Sequence, residues 1–424
     1  MKRLNQTFVF SLLFKIAFLM FFVSNAIFLL AQNLPQPPEL IPYRKLDESG
    51  YFDKWGFCDR NKKIVIECKY VHVEPFYEDL ALVVWLGNFG FIDKIGKEVI
   101  PLKYNYAESF KEGLAKVNVG GEFDILGNFS GGKWGFVDKT GKEVIPLKYD
   151  AVGDFSEGLV IVLLNGKVGY VDKSGKEVIE IKYDEGDNFS EGLARVKLNG
   201  KFGFIDKTGK EVTPLKYDGA GNFSEGLAVI LLNGKVGYVD KTGKEVTEIK
   251  YDYADNFKEG LARVCYSELT GSKYGFIDKT GKEVIPLKYD KTGNFSEGFA
   301  PVGINGKWGF IDKTGKEVVP AKYDDVDVFS EGLARVKLNG KWGFIDKTGK
   351  EVIPLKYDGV FNFSEGLAPV LFNDKIGFID KSGKEVIEIK YDDFYGGFSK
   401  GLCRVLLNRK IGFIDAYGNE YWEK

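Results

Sequence analysis

Histidine is nearly absent from this chain: His72 is the single one among 424 residues. Methionine is almost as rare, with two, and the sequence holds neither a His-Glu-x-x-His pair nor a Gly-rich phosphate loop. Nucleophilic and metal-assisted catalysis therefore have almost no material to work with. Cysteine is also scarce. Cys58, Cys68, Cys265 and Cys403 fall at unequal spacings, so they read as replacements of small apolar residues rather than a disulfide framework. An excess of either charge is missing too, with 59 basic residues against 61 acidic ones and a net charge of −2. Lys, Asp and Glu alternate within a few positions, so no basic stripe forms and a nucleic-acid partner is not expected.

Long apolar runs are missing as well, except at one place. Lys2 and Arg3 precede an apolar stretch from Phe8 to Ala31, broken by Lys15 and by Ser24-Asn25. A positive start, an apolar run and small exit residues are the parts of a secretory signal, with cleavage after Ala26 or Ala31. The alternative is a retained N-terminal membrane anchor, because Ile16 to Ala31 comes close to the ~20 residues that span a bilayer. No Cys follows the run, which excludes a lipoprotein signal. Residues 32–42, with Pro35, Pro37, Pro38 and Pro42, read as a stiff Pro-rich spacer. The expected address is outside the cytoplasm: periplasm, cell surface or medium.

What is abundant is glycine, at 52 residues, and aromatic side chains, at 15%. An apolar share of 44% is enough for a large core and argues against disorder. The pattern Gly-aromatic-x-Asp recurs at Gly56, Gly90, Gly135, Gly169, Gly203, Gly237, Gly275, Gly309, Gly343, Gly377 and Gly412. The intervals are 34 residues, except for 45, 38 and 35 at three places. The two longest mark insertions around Gly121–Gly132 and Cys265–Gly271. About eleven repeats fill residues 43–424 and leave no room for a separate catalytic domain.

One copy runs from Phe329 to Asp358. Asn339-Gly340 between two apolar runs predicts a type I′ hairpin, whose two central residues need φ > 0. Asp346-Lys-Thr-Gly349 predicts a bulged loop, with Asp accepting a local N–H and Gly in the left-handed region. The unit then reads as a three-stranded antiparallel meander, Leu333–Leu338, Lys341–Asp346 and Lys350–Leu355. Its expected pairing sets Val336 opposite Gly343, Ala334 opposite Ile345, Phe344 opposite Val352 and Gly343 opposite Ile353. Pro354 lacks a donor, so the third strand should end there or lie at an edge. Both faces are apolar, so neighbouring repeats must cover them. The expected architecture is an all-β tandem array forming an open superhelical solenoid, since ordinary propellers close at about four to eight blades. A β-propeller or pair of partial propellers is the alternative.

Lys-Trp-Gly-Phe-Ile-Asp, Gly-Lys-Glu-Val-Ile-Pro, Lys-Tyr-Asp and Phe-Ser-Glu-Gly-Leu-Ala recur in fixed order over nearly all of residues 51–418. In that order they resemble the bacterial WG (KWG) repeat family. The naming Trp-Gly pair stands at Trp55, Trp134, Trp308 and Trp342, and other copies carry Phe89, Phe202, Tyr274, Val168, Val236, Ile376 and Ile411. The resemblance implies an exported or multi-domain bacterial protein with an interaction role, and supplies no general activity, cofactor or catalytic residue.

Candidate chemistry is correspondingly thin. The aspartates from Asp59 to Asp415 invite comparison with calcium sites, but those cluster several oxygen ligands. Here Lys commonly follows Asp, and turn chemistry explains it. A sugar-binding aromatic ladder would sit better on Tyr149, Tyr183, Tyr217 and Tyr357 than on Trp342 or Phe344, which stacked sheets would bury. Asn-Phe-Ser at Asn188, Asn222, Asn294 and Asn362 fits a glycosylation pattern of little meaning in a bacterium. The expectation is a non-enzymatic scaffold binding an envelope or extracellular protein, with no cofactor, no metal and no catalytic residue. Carbohydrate or peptidoglycan binding is the second reading and glycan cleavage by a carboxylate pair the third. Membrane contact is expected only through the N-terminal segment if uncleaved.

Overall fold

A computed structural model describes residues 34–46, 53–268 and 271–423. The proposed signal or anchor, residues 1–31, lies outside the described residues. Among the described residues no helix is long and apolar enough to cross a membrane, which leaves β-barrel spanning unaddressed.

The chain folds into eleven antiparallel sheets, nine of four strands and two of three. They form blades at residues 41–70, 72–104, 106–149, 151–183, 185–217, 219–251 (strands to Asp240, then single bridges at Glu245 and Tyr251), 253–289, 291–323, 325–357, 359–391 and 393–421, numbered 1 to 11 below. Blade 9 shows the pattern: a short strand Asp325–Val326, then Leu333–Leu338, Lys341–Asp346 and Glu351–Tyr357. The blades close into a ring, a β-propeller. This corrects the expected open solenoid of three-stranded units. A two-residue strand is too short to leave a periodic signal, and closure depends on contacts between the two chain ends that no local pattern announces.

Both expected turns are present. Asn339 and Gly340 have φ of 52° and 82°, as a type I′ turn requires. Gly349 has φ of 82° and donates its N–H to Asp346 O at 2.9 Å, closing the bulged loop. The first hairpin pairs as expected, with Val336 opposite Gly343 and Ala334 opposite Ile345. The second does not. Phe344 pairs with Ile353 and Trp342 with Tyr357, with irregularities on either side of Phe344. The cause is local: a Cβ at Gly343 would stand 2.4 Å from Ile353 O, so the third strand crosses against the bare glycine. The shift moves Ile353 to the Phe344 face.

That face makes the core. Phe344, Ile353 and Tyr357 pack against Ala368, Val370 and Ile379 of blade 10. The opposite face of blade 9, Ala334, Val336 and Ile345, packs on Phe310, Val319 and Tyr323 of blade 8. Each apolar face is therefore covered by a neighbouring repeat. Pro354 is exposed, in a strand that lies at the sheet edge and runs on to Tyr357.

Candidate functional site

The expected candidate residues are structural. Tyr149, Tyr183, Tyr217 and Tyr357 are at most 2% exposed, which overturns their reading as sugar platforms. Their register opposite the Trp-site residue carries them into the blade interface. Trp342 is half-buried against the same core, and Phe344 is buried. The turn aspartates are occupied by their own loops: Asp346 Oδ1 accepts the N–H groups of Thr348 and Lys350 at 2.9 and 3.1 Å, and the Thr348 hydroxyl at 2.6 Å. Among the described residues no three His, Cys, Asp or Glu side chains gather around one point that could hold a metal. Cys58, Cys265 and Cys403 are buried and free, and burial pushes the Cys58 and Cys403 thiols up to about 12.

Two clasps that the sequence reading missed join the regular blades. On one ring face, the Ser-Glu-Gly turn places Glu157 in the left-handed region at φ 52°, before Gly158 at 90°. The Glu157 carboxylate accepts the Gly192 N–H at 3.0 Å and pairs with Lys207 at 2.9 Å, both on the next blade. These contacts hold its carboxyl below the usual range, the Lys207 hydrogen bond most of all. Glu191, Glu225, Glu259 and Glu297 repeat the contact with the next glycine at 2.8 to 3.0 Å. The preceding serine joins in: Ser156 Oγ donates to Phe189 O at 2.7 Å. On the other face, Asp358 pairs with Lys341 at 2.6 Å and accepts the Asn373 N–H of blade 10 at 2.8 Å. The signal was present as the fixed order Phe-Ser-Glu-Gly and Lys-Tyr-Asp. A Glu repeated where φ must be positive calls for a reason beyond the turn.

The pattern breaks at the seam between blades 11 and 1. Trp422 makes a parallel bridge to Arg44, and Glu423 N donates to Arg44 O at 3.0 Å. Arg44 Nη1 donates to Ile411 O at 3.0 Å, while the Trp55 and Phe413 rings meet edge to face at 6.1 Å. Ile41 and Cys58 share a buried cluster with Leu402 and Tyr421. Leu34 packs on the blade 11 core. Blade 1 has no short strand among the described residues, and the serial Glu becomes Lys400, whose Nζ lies 3.5 Å from the centre of the Tyr77 ring of blade 2. A cavity of about 210 Å³ opens here, lined by His72, Glu74, Tyr77, Tyr395, Lys400 and Arg404 among others.

The second departure is blade 3. Its two central strands, Leu114–Phe123 and Phe129–Asp138, are ten residues each against six in the regular copy. The expected insertion is thus a hairpin extension. At its tip Ile125 is fully exposed and Leu126 is 82% exposed. Tyr106 packs on Phe89, Phe129 and Trp134 with centroids 5.0 to 5.6 Å apart, and next to the tip Phe123 meets Phe129 edge to face at 4.9 Å.

The repeat matches the family described as WG containing repeat over residues 55–84, 89–123, 134–167, 169–202, 202–235, 237–268, 274–308, 308–342, 342–375 and 376–410. The chain belongs to that family. Among WG repeat features, the Gly of the pair has a clear physical role at Gly343, whereas the Trp is buried at Trp55, half-buried at Trp134, Trp308 and Trp342, and replaced in the other copies. No curated protein matches the chain. Among solved structures, one titled as the eukaryotic initiation factor aligns over 85% of this chain and 98% of that one, at 9% identity and a TM-score of 0.41. Kluyveromyces lactis Hsv2p aligns over 54% and 92% at 11% identity and a TM-score of 0.32. Dihydro-heme d1 dehydrogenase NirN in complex with DHE aligns over 60% and 70% at 16% identity and 0.31. Likenesses this distant say nothing about what this chain binds.

Proposed function

We propose that this WG repeat ring is an exported, non-catalytic scaffold of the bacterial envelope that binds a protein partner. The observation that carries the reading is the blade 3 hairpin, where Ile125 and Leu126 stand side by side in solvent. The other two large apolar side chains exposed to a like degree, Leu86 and Ile95, are not adjacent in the chain, and paired Lys, Asp and Glu recur over the regular blades. Exposed apolar side chains at the end of a projecting, aromatic-braced hairpin are suited to burial in a partner. The clasps on both ring faces support the scaffold role, because they fix blade against blade, and at blade 3 itself Glu78 holds Gly113 and Lys139 while Asp150 holds Lys133 and Asn165. Export rests on residues 2–31, whose charge and hydropathy follow a secretory signal.

A photo-crosslinker placed at Asn128, in cells expressing the full chain, tests the reading. An envelope protein captured by the parent and lost on Ile125→Asp with Leu126→Asp supports it; identical capture profiles would sink it. A second reading, carbohydrate or peptidoglycan binding, draws on the half-exposed rings of Tyr106, Phe129 and Trp134. Retention on a glycan panel that Trp134→Ala removes, with no protein captured, would favour it. Amino-terminal sequencing of the mature chain should find a start after Ala26 or Ala31; an intact Met1 in a cytosolic chain would contradict export.

A further inference from the structure

Five blades carry a cation at the third position of their first long strand: Lys116, Arg195, Arg263, Arg335 and Arg404. Four of them are neutralised. Lys116 pairs with Glu108 at 3.1 Å and Asp154 at 3.0 Å. Arg195 pairs with Asp187 at 2.8 Å and donates Nη1–H to Ala220 O on the next blade at 2.6 Å. Arg263 repeats this with Asp255 at 2.7 Å and with Thr292 O, and Arg335 with Asp327 and with Val360 O at 2.8 Å. In these three Arg blades the aspartate backbone bonds the arginine backbone across the strands: Asp187 N donates to Arg195 O at 3.0 Å, and Asp255 and Asp327 do the same.

Arg404 has neither partner. Tyr395 is the residue opposite it, where its counterparts face Asp. The carbonyl that would come from the next blade's short strand has no equivalent, because blade 1 lacks that strand among the described residues. The guanidinium is left with the Tyr395 ring, 5.5 Å from its carbon to the ring centre. Its Nη atoms make no hydrogen bond within the described chain, and its Nε is buried without a partner, as are the Nε atoms of Arg195, Arg263 and Arg335. Arg404 lines the seam cavity of about 210 Å³, and Lys400 lines the same cavity. One lining carboxylate, Glu74, is engaged by His72 at 2.7 Å. Burial lowers the Lys400 ammonium from its ordinary lysine value, with the charge of Glu78 opposing.

We propose that this seam cavity binds a small anionic group, a carboxylate or a phosphate, on the fork of Arg404 with Lys400 at its margin. A planar guanidinium with two free Nη groups matches either oxyanion in a bidentate pair. The ring itself supplies the precedent, since the same arginine in three other blades is satisfied by a carboxylate. The volume suits a group of a few heavy atoms, or the anionic end of a longer ligand.

Isothermal titration calorimetry on the full chain tests the site with N-acetylglycine, inorganic phosphate and the neutral N-acetylglycinamide. One anion should bind with one-to-one stoichiometry and the neutral amide should not; which anion binds tells carboxylate from phosphate. Arg404→Met should weaken binding about tenfold or more. Tyr395→Asp, at a position 45% exposed, restores the internal carboxylate and should weaken binding to the same extent with the fold intact. Arg195→Met, in a blade whose arginine is already paired, should bind as the parent does. Equal affinity in Arg404→Met or Tyr395→Asp, equal binding of the amide, or no binding of either anion overturns the site.

Discussion

The junction between blades 4 and 5 and the junction between blades 11 and 1 do the same job with different chemistry. Between blades 4 and 5, Glu157 reaches Gly192 and Lys207 while Ser156 reaches Phe189, on top of apolar packing. Between blades 11 and 1 the polar clasp is gone. Apolar rings, one main-chain bridge and the Arg44 contact to Ile411 O take its place: Trp422 lies on Arg44 and over Gly412, and Trp55 on Phe413. A repeat solves its regular interfaces once and copies the solution, but the two chain ends need a separate one. Where the copying stops, polar groups such as those of Arg404 lose their inherited partners. Sites in a repeat protein are thus to be sought where the repeat fails.

Breaking the seam should have the largest effect. Trp422 is 6% exposed, and a Cβ at Gly412 would stand 2.1 Å from its ring. Trp422→Ala should cost about 3–5 kcal/mol by loss of packing and the cavity left behind. It should lower the urea midpoint more than Trp342→Ala, whose ring is only half-buried. Equal effects would mean that the ends do not seal the ring. Within a regular blade, Gly343→Ala should cost about 2 kcal/mol or more, because the methyl meets the Ile353 carbonyl and the strand must shift. A Cβ at Gly340 meets nothing within 4 Å, so Gly340→Ala should cost less, through its φ of 82° alone. Thermal denaturation of the two variants compares them.

The clasps are smaller terms. Glu225→Gln keeps the shape but weakens contacts to Gly260 at 2.8 Å and Lys279 at 3.1 Å, at a cost of about 1 kcal/mol. Lys400→Glu would write the regular residue into the seam. It should not recover that stability, since it gives up the Tyr77 ring contact. Smallest and most diffuse is the response to acid. Asp150, Asp218, Asp290 and Asp358 are held below the usual carboxylate value, first by hydrogen bonds from Lys133, Lys201, Lys273 and Lys341. A depressed folded-state pKa gives stability that is present above the unfolded value of 3.8 and is lost as pH falls through the lower folded value. Hydrogen exchange below about pH 4 should therefore speed up at the regular junctions before it does at Trp422.

Much of the blade was legible in the sequence. Asn339-Gly340 and Asp346-x-x-Gly349 state their φ requirements in residue type, and the first hairpin register follows from them. Period and copy number were equally plain. Three things were not. The short strands, such as Gly359–Val360, are two residues long and carry no pattern. The second register turns on the third strand crossing a bare Gly343, so Ile353 changes face, the strand runs on past Leu355, and the tyrosines become core. Closure depends on Trp422 meeting Arg44, a contact between residues at opposite ends of the chain. The seam site followed the same logic: Arg404 looks like Arg195 in the sequence, and only the pairing of Tyr395 and the short strand that blade 1 lacks among the described residues set it apart.

The central claim is that eleven blades close into one ring. Small-angle X-ray scattering on the mature, monomeric chain tests it most directly. A closed ring predicts a compact pair-distance distribution that falls off at the diameter of a disc, and Trp422→Ala should broaden it. An elongated distribution with a long tail in the parent protein, unchanged in Trp422→Ala, would contradict the closed ring.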